Sequence, residues 1–303
     1  MRTLEARVCL DERAGHAEGP VWDDIRGELL WVDLYAGLVR WATWDADRLR
    51  PVRTHVLGEA VGAVVPCVNP ADGWVLASEF GFARLLADGS VHPVAEPERA
   101  HAGHTRMNDG CADPRGRFWA GSMAHDRAPQ AGSLYCLDGN RVRQVLADVT
   151  ISNGLAWRGP DEFYYIDTPT QRVDLITVDA DGVLRRRKTA FEIDPALGAP
   201  DGMAADAEGA LWIALWGGSA VVRFSPHGEL LTRVEIPATQ VSSCCFGGTD
   251  LTTLFVTTSQ EGFTAARSAA EPHAGKLFAV ETGMAGRPAD RFLPSTVEQW
   301  SLT

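Results

Sequence analysis

Much is missing from this 303-residue sequence, and each absence excludes something. No window approaches 18 consecutive apolar residues, so no stretch is long enough to cross a bilayer as a helix. Met1 to His16 alternates charges with single apolar residues and lacks the apolar core of a secretory signal. Six cysteines at 9, 67, 111, 136, 244 and 245 show no C-x-x-C spacing; they read as free thiols in a reducing cytoplasm. Positive charge is scarce: 28 Lys and Arg against 40 Asp and Glu leave a formal charge of −12. That balance repels nucleic acid and anionic membrane alike, and reads as solvated surface. There is no EF-hand loop and no H-E-x-x-H. Without a G-x-S-x-G elbow, or a serine or cysteine beside an obvious histidine, an acyl-enzyme is unsupported. Tyrosine and long helix-forming stretches are also few, which disfavours a helical fold.

What is present is turn chemistry and a repeat. Thirty glycines, seventeen prolines and ten tryptophans suit many short strands joined by turns. Apolar runs recur at Leu29–Leu34, Trp74–Ser78, Phe118–Met123, Phe163–Thr168, Leu211–Trp216 and Leu254–Ser259. Anchored on Trp31, Val75, Trp119, Tyr165, Trp212 and Phe255, they are spaced by 44, 44, 46, 47 and 43 residues. Each is preceded by a segment opening on a small residue and followed by a third alternating segment. Units of that length, six times over, predict an all-β six-bladed β-propeller occupying 1–303 as a single domain. A β-sandwich gives no reason for six matched openings. A strand near Glu5 to Leu10 should pair with the last blade and close the ring.

In a propeller the innermost strands line one channel, so equivalent positions at their starts converge. Those positions hold Glu18, Val61, Asn108-Asp109, Asn153, Asp201 and Ser242. Carboxylates and amides meeting at a channel mouth need a positive partner, and oxygen donors suit a hard divalent ion such as Ca²⁺, Mg²⁺ or Mn²⁺ over Zn²⁺ or Fe²⁺. Read one at a time, Glu18 before Gly-Pro, Asn153 before Gly154 and Pro200-Asp201-Gly202 could each be a turn.

The stretches Glu18-Gly19-Pro20-Val21-Trp22, Arg106-Met107-Asn108-Asp109-Gly110, Asp113 to Met123, Ser152 to Trp157, Pro200-Asp201-Gly202-Met203 and Ser242 to Gly248 resemble the senescence marker protein, gluconolactonase and regucalcin-like family. The likeness runs from the first blade to the last. It implies one divalent metal, Ca²⁺ first, held by Glu18, Asn153 and Asp201, with substrate contacts from Arg106 and Asn108. An acidic substrate-contacting residue also follows the Gly-Ser-Met segment in that family; the offset places it at Asp126, preceded by His125. The resemblance further implies hydrolysis of a sugar lactone, with the metal as Lewis acid and Asp201 as general base. The same family resemblance carries a non-catalytic calcium-binding role, and related propellers hydrolyse aryl esters or phosphotriesters. A cytoplasmic monomer or weak oligomer is expected, with no nucleic-acid or membrane partner.

Overall fold

The computed structural model describes residues 1–295; residues 296–303, the end of the expected domain, lie outside the described residues. Six sheets form six blades. Their inner strands are Ala17–Asp23, Val61–Pro66, Thr105–Ala112, Ser152–Gly159, Ala199–Ala205 and Val241–Gly247. Each packs against the next in chain order, and the sixth returns to the first, so the ring closes. The expected propeller is what the chain forms.

The six anchor residues all sit in second strands and are almost wholly inaccessible. Blade packs against blade on both faces there, which is why the runs are continuously apolar instead of alternating. Two of the anchoring tryptophans need a partner for the indole N–H, and a buried aspartate on the preceding turn provides it. Asp113 accepts from Trp119 at 2.8 Å and from the Arg117 guanidinium at 2.6 Å. Asp206 does the same for Trp212 at 3.0 Å and Arg223 at 2.7 Å.

The ring is closed more elaborately than the sequence suggested. Arg7–Leu10 pairs antiparallel with Leu277–Glu281 of blade six, as expected. Arg2–Glu5, however, runs parallel to Leu230–Glu235 on the outer edge of blade five. The N-terminus therefore staples two blades. Val91–Ala95 is the outer strand of blade two and Thr105 already opens blade three. His101 and His104 lie exposed between them.

Every inner strand shifts register near its start. The irregularities fall at Glu18/Val21, Val61/Ala63, Met107/Gly110, Asn153/Leu155, Pro200/Met203 and Val241/Ser243. A bulge bends the strand and re-aims its side chains, so the residues before it face one end of the channel and those after it the other. Neighbouring strands come very close at this point, which explains the small residues. A Cβ on Gly62 would lie 2.1 Å from the Asn108 carbonyl oxygen, and one on Gly202 would lie 2.1 Å from Ser243 Oγ.

The lower end of the channel is covered by a strap from Ala285 to Leu293 that touches all six blades. It bridges to Asp206 through Gly286 and to Cys67 through Phe292. Gly286 N–H donates to Leu251 O and Leu293 N–H to Gly116 O, both at 2.7 Å. Arg287 donates to Trp157 O at 3.2 Å, and Arg291 to Asp23 at 2.6 Å. Beneath the bulges it encloses a cavity of ≈ 400 Å³.

Candidate active site at the upper channel mouth

The upper mouth, where the inner strands begin, holds a second cavity of ≈ 190 Å³. Side chains two apart on a strand share a face, and four openings each contribute such a pair. These are His16 with Glu18, Arg106 with Asn108, Ile151 with Asn153, and Ala199 with Asp201. The ends of the second strands add Met123 and Trp216, and the segments following them add Arg127, Thr168 and Glu261. Blade two lends nothing, as its apolar Val61 leads one to expect.

The openings are pinned from behind. In blade one, Asp33 at the end of the second strand accepts from the Gly15 and His16 N–H groups, each at 3.0 Å. In blade four, Asp167 takes the Ile151 N–H at 2.9 Å and the Thr150 N–H at 3.2 Å. These aspartates hold the backbone just ahead of Glu18 and Asn153.

A chain of amide and hydroxyl bonds then crosses three blades. Arg106 Nη1 donates to Asn108 Oδ1 at 2.6 Å. Asn108 Nδ2 donates to Asn153 Oδ1 and to Ser152 O, both at 2.8 Å. Asn153 Nδ2 donates to Thr168 Oγ1, which donates to Pro200 O, again at 2.8 Å each. The chain fixes both amides with a carbonyl oxygen toward the channel, and that oxygen has a second lone pair to offer.

Asp201 stands apart from this network. It is buried, and among the described residues no hydrogen bond engages its carboxylate. Burial, followed by the charges of Glu18, Asp109 and Glu261, pushes its carboxyl well above the usual range, with Arg106 opposing. A buried carboxylate without donors and beside other carboxylates either takes up a proton or stays ionised with a cation among them. Among the described residues no three His, Cys, Asp or Glu side chains gather into a metal cluster. The set that converges here is two carboxylates and an amide oxygen, from Glu18, Asp201 and Asn153. That donor set fits a hard divalent ion, and the unbonded Asp201 is the observation that says so.

Asp109 follows Asn108 but faces the lower cavity, on the other side of the bulge. Burial, then the charge of Glu18, raises its carboxyl to about 7.

Of the residues expected at the site, Glu18, Arg106, Asn108, Asn153 and Asp201 come together. Asp126 does not: it is exposed, and its Oδ1 accepts from Ala128 N–H at 3.0 Å, closing a turn. That turn puts the next residue, Arg127, in the left-handed region at φ 61° and directs it to the cavity. Sequence reasoning also missed His16, Tyr35 and Glu261. His16 was readable in principle, since it stands two residues before Glu18 on one strand face. Its Nε2 lies 3.4 Å from Glu18 Oε1, and its Nδ1 lies 3.0 Å from Ser259 Oγ. Tyr35 and Glu261 sit on loops from different blades, where no short-range pattern links them.

Residues 16–260 match the model of the SMP-30/Gluconolactonase/LRE-like region. The chain is 35% identical over 288 residues to a putative sugar lactone lactonase, YvrE, of Bacillus subtilis (strain 168), covering 92% of this chain and 96% of that protein. It is 36% identical over 292 residues to regucalcin of Danio rerio, covering 94% and 96%. Among solved structures, a calcium-binding protein, regucalcin, of Agrobacterium tumefaciens superposes with a TM-score of 0.89 at 26% identity, over 96% of this chain and 98% of that one.

Proposed function

The chain belongs to the SMP-30/Gluconolactonase/LRE-like family, and on that premise we propose that its upper mouth hydrolyses a sugar lactone with one divalent cation held by Glu18, Asn153 and Asp201. The observation that carries this reading is the buried Asp201 carboxylate, left without a donor and facing a guanidinium and amide that are already positioned. When bound, the cation supplies Lewis acidity at the lactone carbonyl and the charge that keeps Asp201 ionised. Asp201, so ionised, takes the proton from the attacking water as general base. Arg106 and Asn108, locked to each other at 2.6 Å, orient the ring oxygen and hydroxyls of the substrate. Met123, Ile151 and Trp216 form the apolar part of the wall and keep bulk water off the reacting carbonyl. A lactone is neutral, so the acidic surface does not oppose its approach.

Oxygen donors favour Ca²⁺, and the regucalcin relatives fit that choice. His16, a nitrogen close to Glu18, is the reason to test Mn²⁺, Zn²⁺, Mg²⁺ and Fe²⁺ beside it. A purely ion-binding role has no use for Arg106, which reaches into the cavity and is buried together with Asn108. The test is indicator-monitored opening of glucono-, galactono-, xylono- and arabinonolactone by metal-stripped protein, with each ion added back. Turnover above the spontaneous rate that depends on an added ion supports the proposal. Tight ion binding with no turnover of any lactone, aryl ester or phosphotriester would make the chain an ion-binding propeller instead.

A further inference from the structure

The mouth of the upper cavity is spanned by an ion pair between blades that face each other. Arg127 stands on the loop after the second strand of blade three, and Glu261 on the corresponding loop of blade six. Three blades apart in a ring of six, these loops lie on opposite sides of the axis. Arg127 Nη2 nonetheless reaches Glu261 Oε2 at 3.0 Å, and both residues line the cavity.

The two halves of this bar are held unequally. Glu261 Oε1 accepts from Tyr35 OH at 3.0 Å, its N–H donates to Ser259 Oγ at 2.9 Å, and its carbonyl oxygen accepts from Gln240 Nε2 at 3.3 Å. Tyr35 OH is in turn held by Arg106 Nη2 at 3.1 Å. Arg127 has a single side-chain bond among the described residues, and its side chain is 54% exposed against 23% for Glu261. An ion pair this open to water is weak, and the arginine is the half free to leave.

We propose that Arg127 is a specificity-determining residue: its bridge to Glu261 bars the mouth against bulky lactones and admits compact, hydroxylated ones. The proposal rests on the lactone-hydrolase reading. A compact polyol can slip beside or transiently replace the guanidinium's partner with its own hydroxyls. A fused aromatic ring has no hydrogen bond to offer in exchange and must displace the arginine outright.

Two measurements test it, one of them independent of catalysis. The first compares kcat/KM for glucono-1,5-lactone and for the aromatic lactone dihydrocoumarin in wild type, Arg127→Ala and Arg127→Lys. Arg127→Ala should raise the dihydrocoumarin-to-gluconolactone ratio about tenfold, while Arg127→Lys, which can still pair with Glu261, stays near wild type. The second places a thiol under the bar with Met123→Cys, a buried cavity residue. Its labelling by fluorescein maleimide is compared with labelling by methyl methanethiosulfonate, after subtracting the protein without that change. The bulky-to-small rate ratio should rise about tenfold when Arg127→Ala is added. An unchanged labelling ratio, or an unchanged substrate ratio in an active enzyme, overturns the proposal. A labelling ratio that rises in a protein opening neither lactone keeps the bar and discards the hydrolase reading.

Discussion

The two ends of the channel are made from the same six strands and have opposite characters. Above the bulges stand Glu18, Arg106, Asn108, Asn153 and Asp201, around a cavity whose Asp201 carboxylate is buried without a hydrogen-bond donor among the described residues. Below them, a few residues further along each strand, stand Val21 and Trp22, Val64 and Val65, Cys111 and Ala112, Ala156 and Trp157, and Cys244 to Phe246. Burial raises the Cys111, Cys244 and Cys245 thiols there above their ordinary values, which disfavours the thiolate. The strap lines the lower cavity, whereas the upper is crossed by one exposed ion pair. One bulge per strand thus separates a chemical surface from a structural one, and substitutions at the two ends should fail in different ways.

The largest effect is expected from Asp201→Asn. Lactone turnover should fall about 10³-fold or more. The metal-free protein should become more stable near neutral pH, because Asp201 must there take up a proton or hold a charge without a partner, and Asn does neither; a thermal melt in chelator checks this.

The second effect is a pH dependence of the metal-free protein. Asp109 is raised to about 7 in the folded state, against roughly 3.9 when unfolded. The folded form therefore holds the proton more tightly, and the stability that proton contributes is complete below pH 4 and lost as pH rises toward 7. The loss amounts to roughly 4 kcal/mol at most. Urea titrations in chelator across that range should show the decline, and Asp109→Asn should flatten it.

At the lower end, Arg291→Ala leaves Asp23, which is fully buried, with one fewer guanidinium. It should cost about 3 kcal/mol of unfolding free energy. Turnover per folded molecule should stay within about twofold of wild type, since the strap touches no group of the upper mouth. Gly62→Ala joins the two ends. Its new methyl group meets the Asn108 carbonyl oxygen, and it should cost about 2 kcal/mol in stability while raising KM by displacing Asn108. The smallest effect should come from Asp126→Ala, which removes only an exposed turn bond and should change turnover by about twofold or less.

The propeller was legible because six buried second strands repeat one pattern, with Trp31, Trp119 and Trp212 in matching places. That Glu18, Arg106, Asn108, Asn153 and Asp201 line one cavity was legible because equivalent strand openings must converge. Asp126 lies outside the cavity lining for a local reason. In a turn, sequence offset does not determine which side chain faces inward, and a positive φ at Arg127 decided it. The strap and the parallel strand Arg2–Glu5 escaped because they pair across the whole length of the chain, Arg2 with Thr232 and Cys67 with Phe292. No periodicity within a segment carries that information. The bar between Arg127 and Glu261 escaped likewise, since 134 residues separate the partners.

The most direct test is to count the cation and the turnover together. Equilibrium dialysis of metal-stripped protein with Ca²⁺ and Mn²⁺, followed by lactone hydrolysis on the same samples, should give one ion per chain. Both ion and activity should be lost together in Glu18→Gln, Asn153→Ala and Asp201→Asn, and both retained in Asp126→Ala. Lactone turnover that persists in the three variants after the ion is gone would contradict the account.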